Sequence, residues 1–162
     1  MKKCTIPALV CFLIVVPSLI LGCSAPPESA TTPQSPKPSN PAPQSHNLIN
    51  ATIVISPGGY FDIEFSVDLT TMHDVRVVGS FTTSQNVGGD TEVMITDDMA
   101  YTDWIDGRQV SMLYTSGNKT TANIDLPITT SGAYHLVLSN NDAELSSKQI
   151  LATIELEWNE LR

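Results

Sequence analysis

Phe61-Asp62-Ile63-Glu64-Phe65-Ser66-Val67-Asp68 decides the fold. Apolar and polar side chains alternate through all eight positions. A strand sends successive side chains to opposite faces, so this period of two predicts a strand with one face buried and one wet. The same alternation returns at Tyr134, Leu136 and Leu138 and at Ile150, Ala152, Ile154, Leu156 and Trp158. Weaker versions run through Val75, Val77, Gly79 and Phe81, through Val93 and Ile95, and through Ala122, Ile124 and Leu126.

Turn signals separate these runs: Pro57-Gly58-Gly59, Gly88-Gly89-Asp90, Asp106-Gly107, Ser116-Gly117-Asn118 and Ser131-Gly132. Glycine and its neighbours supply the backbone conformations that tight turns need. Pro57-Gly58-Gly59 is short enough to predict a hairpin between 51–56 and 60–68. About eight strands at near-regular spacing predict an all-β antiparallel sandwich or jelly roll. One helical piece is expected over 98–105. Asp97 or Asp98 would cap it, with Tyr101 and Trp104 three apart on one face.

Outward from this domain the chain changes character. Lys2 and Lys3 precede an uncharged apolar run from Cys4 to Leu21, followed by Gly22 and Cys23. Ile20-Leu21-Gly22-Cys23 resembles a lipobox, so residues 1–22 are read as a lipoprotein signal and Cys23 as the lipidated residue. Acyl chains on Cys23 would hold the protein on a membrane, facing outside the cytoplasm. More than one chain makes such an anchor stable, at ~0.8 kcal/mol per buried CH₂. The alternative is an uncut apolar anchor, since the run nearly reaches membrane-spanning length. Residues 23–46 are rich in Pro, Ser, Thr and Gln, a composition that cannot bury a core and makes a semi-rigid spacer. The folded domain is expected over 47–162.

With Cys4 and Cys11 removed and Cys23 acylated, the mature chain has no internal disulfide. Its core must stand without one. From position 47 onward there are five Lys and Arg against sixteen Asp and Glu, a formal charge of −11. A field of that sign repels phosphate backbones, which argues against nucleic acid as a partner.

Gly79-Ser80-Phe81, the run Gly89-Asp90-Thr91-Glu92-Val93-Met94-Ile95, the spaced Asp98, Tyr101, Trp104 and Gly107, and Ser131–Asn140 followed by Ser146-Ser147-Lys148 together resemble the GOLD family. That family is the β-sandwich domain of the p24 cargo receptors and of relatives in bacterial lipoproteins. The resemblance implies a non-catalytic module that binds protein or lipid, needs no cofactor, and keeps Tyr101 and Trp104 within its fold signature. The p24 proteins add a disulfide, a coiled coil, a C-terminal membrane helix and a sorting tail. This chain shows none of them.

Candidate chemistry is sparse. Asp97, Asp98, Asp103 and Asp106 offer oxygens to Ca²⁺ but lack the tight spacing of a dedicated loop. The preferred reading of these residues is a helix cap and a solvated face in an acidic protein. His46, His73 and His135 are too far apart in sequence to suggest a zinc site, and His135 has the outward parity of a surface residue. There is no G-x-S-x-G elbow and no phosphate loop. Tyr101, Trp104 and Tyr114, with Asp103 and Asp106 beside them, would suit a glycan by stacking on sugar faces. The competing reading is that Tyr101 and Trp104 pin the helix over the sandwich. The sequence therefore predicts a tethered envelope module that binds a protein partner, with glycan binding as the alternative.

Overall fold

The computed structural model describes residues 43–84, 90–140 and 146–160. Eight strands and one helix follow in chain order. They are β1 (Pro43–Ile55), β2 (Tyr60–Val67), β3 (Met72–Thr83), β4 (Glu92–Asp97), α1 (Asp98–Ile105), β5 (Tyr114–Thr115), β6 (Thr121–Pro127), β7 (Gly132–Ser139) and β8 (Lys148–Glu160). They form two four-stranded antiparallel sheets, β1-β8-β3-β6 and β2-β7-β4-β5. The all-β sandwich expected from the alternation is the observed architecture. The expected signal, Cys23 and nearly all of the expected spacer lie outside the described residues.

The core collects the inward set of each strand. Ile53, Ile55, Phe65, Val67, Val77, Phe81, Val93, Ile95, Ile124, Leu136, Leu138, Ile150, Ile154 and Leu156 are all buried in one cluster. Trp158 packs against that cluster, as its parity predicted. Burying an aliphatic side chain of this size contributes about 1.5–3 kcal/mol, which is how an undecorated sandwich holds without a disulfide. Tyr134 does double duty. Its ring stacks on Phe65 at 5.6 Å, and its hydroxyl donates 2.7 Å back to the carbonyl of Thr130. That bond fastens the β6–β7 connection to the strand it feeds.

Two expectations about the strands change. The first strand starts at Pro43, so residues 43–46 of the anticipated spacer already pair with β8 through Pro43–Asn159 and His46–Leu156. Polar side chains alone cannot announce a strand whose partner comes from the far end of the chain. Pro57-Gly58-Gly59 does not close a hairpin either. It is a corner that carries the chain from one sheet to the other, because β1 pairs with β8 and β2 with β7. Asn140 pins this corner. It is fully buried, and its Nδ2 donates 3.1 Å to the carbonyl of Ile55. The N–H of Gly58, at φ +69°, donates 2.9 Å to the Asn140 carbonyl, and the Asn140 N–H donates 2.9 Å to that of Gly59.

Gly79 is a position in the sheet where a side chain has no room. It lies in β3 between Ile154 of β8 and Ile124 of β6. With φ at +149°, it adopts a conformation open to glycine and resisted by other residues. A β-carbon there would lie 2.2 Å from the carbonyl oxygen of Thr153.

Candidate functional site

The helix forms where the sequence places it. Asp97 has extended backbone angles, and its Oδ1 accepts from the N–H of Ala100 at 2.8 Å. This satisfies one of the donors that a helix start leaves without a partner. Asp98 adds negative charge in the first turn, at the positive end of the helix dipole. The helix then lies against β7 and β4 on the outer face of the second sheet.

That placement corrects the reading of His135. Its side chain does leave β7 on the face opposite the core, but the residue is only 6 % exposed. Its Nδ1 lies 3.0 Å from Oδ1 of Asp62 on the neighbouring strand β2. Its Nε2 lies 3.3 Å from Oδ1 of Asp98 on the helix. The Tyr101 ring stacks flat on the imidazole, centroids 3.7 Å apart and planes 8° apart. The Tyr101 hydroxyl donates 2.9 Å to Oδ2 of Asp62. One imidazole thus ties strand to helix, with an aromatic lid held by the same carboxylate. Burial, and then the Asp62 carboxylate it donates to, hold the Tyr101 phenol far above its usual value.

The aromatic chain continues outward. Trp104 stacks on Tyr101 with centroids 6.2 Å apart, and Tyr60 meets Trp104 edge-on at 5.2 Å. The expected pair of Tyr101 and Trp104 is therefore brought together, and the pair does pin the helix. Tyr114 is not part of the platform. It packs against the core, its hydroxyl donates 3.3 Å to the carbonyl of Asn123, and burial raises its phenol.

The acidic candidates have separate partners. Asp97 caps the helix, Asp98 faces His135, and Asp103 and Asp106 both pair with Arg108, the latter at 2.8 Å. Among the described residues no group of three or more His, Cys, Asp or Glu side chains is arranged to hold a metal ion. Asp62 and His135 resemble the orienting half of a catalytic triad. Here, however, the second ring nitrogen faces the Asp98 carboxylate at 3.3 Å, where a triad would place its hydroxyl or thiol. A cleft of about 400 Å³ lies elsewhere, floored by Leu69, Met72, Val75 and Ile128. Its basic residues are already engaged, Arg76 with Asp125 and His73 with Asp74 at 2.8 Å.

Sequence reasoning missed Asp62, His135 and Tyr60 as partners of the helix. The signal was present in part. Asp62 and His135 stand on the outward parity of their strands, while a capped helix with two aromatics needs a surface to lie on. Nothing local says that these strands are neighbours.

No protein-family model matches this chain, and no curated protein matches it.

Proposed function

We propose that the chain is a lipid-anchored, extracytoplasmic lipoprotein whose GOLD-like sandwich binds another envelope or secreted protein without catalysing a reaction. The lipobox at Cys23 supports the anchor, and the order of the strand motifs supports the GOLD-like reading. The observation that carries the binding role is the surface over α1. On α1, Met99 is 78 % exposed and Ile105 50 % exposed, and Tyr60, whose ring abuts Trp104 of the same helix, is half-exposed. Apolar and aromatic side chains on a pre-organised support are what protein interfaces use as anchors. The clamp beneath, through Tyr101 and His135, means little ordering cost remains for binding.

The test is cross-linking of the full-length chain in living cells, followed by identification of what is recovered with it. One protein at near-stoichiometric yield, lost on Met99→Asp or Trp104→Ala while the circular dichroism is unchanged, supports the proposal. Recovery of lipid and background alone overturns it in favour of the glycan-binding module, which a sugar array then examines. Cys23→Ala separately tests the anchor: the domain should leave the membrane fraction. A variant that stays in the pellet with its signal uncut overturns lipidation in favour of an apolar anchor.

A further inference from the structure

The two sheets have four edges among the described strands, and three of them are blunted. Strand β2 carries Asp62 and Glu64, β5 is two residues long, and β6 carries Asp125 and ends at Pro127. Exposed edges pair with foreign strands unless charge, brevity or proline prevents it. The fourth edge, β1, has none of these protections over most of its length. Its proline is at the first position, and its irregularity lies between Asn47 and Ile49. From there Ile49-Asn50-Ala51-Thr52-Ile53-Val54-Ile55 runs uncharged and rich in β-branched residues. On its outer side β1 pairs with no strand among the described residues.

The absence of charge extends across the sheet. Opposite and beyond this segment lie 148–154 of β8, 77–83 of β3 and 121–124 of β6. None contains Asp, Glu or Arg, and the one Lys, Lys148, is buried and donates to the carbonyl of Asp90. In a domain of formal charge −11 this end of one sheet is an exception. On its outer face Val54 and Leu151 stand 62 % and 57 % exposed, diagonal to one another across the β1–β8 ladder, where Thr52 opposes Leu151.

The geometry points to a second copy of this chain as the occupant, its β1 pairing antiparallel with this β1 to join two four-stranded sheets into one of eight. Two observations select a copy over a foreign strand. The first is register. With Thr52 opposite itself, Ile49 faces Ile55 of the other copy, Ala51 faces Ile53, and Asn50 faces Val54. Directly opposed residues share a face in an antiparallel pair, so aliphatic meets aliphatic on the core side of the extended sheet. Ala51, exposed at the edge although its parity is inward, is then covered. The second is charge. Two domains that repel through most of their surfaces can meet where neither has charge, and screening over roughly 8 Å at physiological salt mutes the rest. The inference depends neither on lipidation nor on the surface over α1.

The experiment uses the full chain purified in mild detergent. Thr52→Cys places a thiol on the two-fold axis, and mild oxidation should give a covalent dimer on a non-reducing gel. Thr153→Cys, exposed one strand further in on the same face, should give only the background of the parent chain. Ala51→Lys puts like charges across the seam and should shift sedimentation from dimer to monomer, with the melting curve showing that the fold survives. A parent chain that sediments as a monomer, or equal cross-linking from Thr52→Cys and Thr153→Cys, overturns the proposal. So does a Thr52→Cys adduct in cells that contains a different protein.

Discussion

His135 and Asp62 stand on adjacent strands, β7 and β2, and the imidazole Nδ1 approaches the carboxylate to 3.0 Å beneath a helix that is joined in the chain to β4 and to neither of them. The contact is buried on one side and open on the other, since the Asp62 side chain keeps about a quarter of its exposure. Burial strengthens such a pair and makes the loss of either partner costly.

Removing the ring should therefore be expensive. His135→Ala deletes two carboxylate contacts and the stacking surface of Tyr101, and is expected to destabilise the domain by about 2–4 kcal/mol in urea titration. Hydrogen exchange should accelerate first in α1, because the helix loses its main tie to the sheet. Uniform acceleration over all strands would mean that the imidazole supports the core and not the helix.

Tyr101 predicts an alkaline limit. Its phenol is raised in the folded state from an ordinary value of 10.0. The stability associated with keeping that proton is fully present below pH 10, where folded and unfolded chains are both protonated. Above it the unfolded chain ionises first, so stability falls as pH rises towards the folded-state value. Urea midpoints at about pH 9 and about pH 11 should differ less in Tyr101→Phe than in the parent chain. A residual difference should remain, because Tyr114 is raised as well. An unchanged difference would remove Tyr101 as the source.

Gly79→Ala should be among the most damaging changes outside the clamp. The added β-carbon meets the Thr153 carbonyl in the middle of a four-stranded sheet, where the backbone has little room to shift. A loss of about 3 kcal/mol is expected. Ser80→Ala, exposed on the same strand, should change the melting temperature little and serves as the control.

Asp97→Ala removes the helix cap and should cost about 1 kcal/mol, with Asp97→Asn restoring most of it. Thermal melts of the three proteins decide this. Equal loss in both variants would assign the effect to charge and not to the hydrogen bond with Ala100.

How much of this was legible follows from what each signal is about. Strand alternation reports one buried face, so β2, β3, β7, β8 and the core set could be read from single residues such as Phe65, Leu136 and Ile154. The helix could be read because its cap and its aromatics are local. Pairing could not. Ala51 finds its partner in Ala152, and the four-residue connection after β1 looks the same whether it folds back or crosses to the other sheet. His135 shows the same limit at one residue: parity names the face, and only the path of the chain decides what will cover it.

The strand order has a temporal consequence. β8 lies between β1 and β3, so the first sheet is centred on the segment that comes last in chain order among the described strands. Synthesis supplies β1 and β3 long before anything exists to join them. Contacts that close so late and over such distance fold slowly. Until 148–160 has been made, the β1-β8-β3-β6 sheet lacks the strand that joins β1 to β3, so that sheet is completed only at the end of synthesis of the described strands.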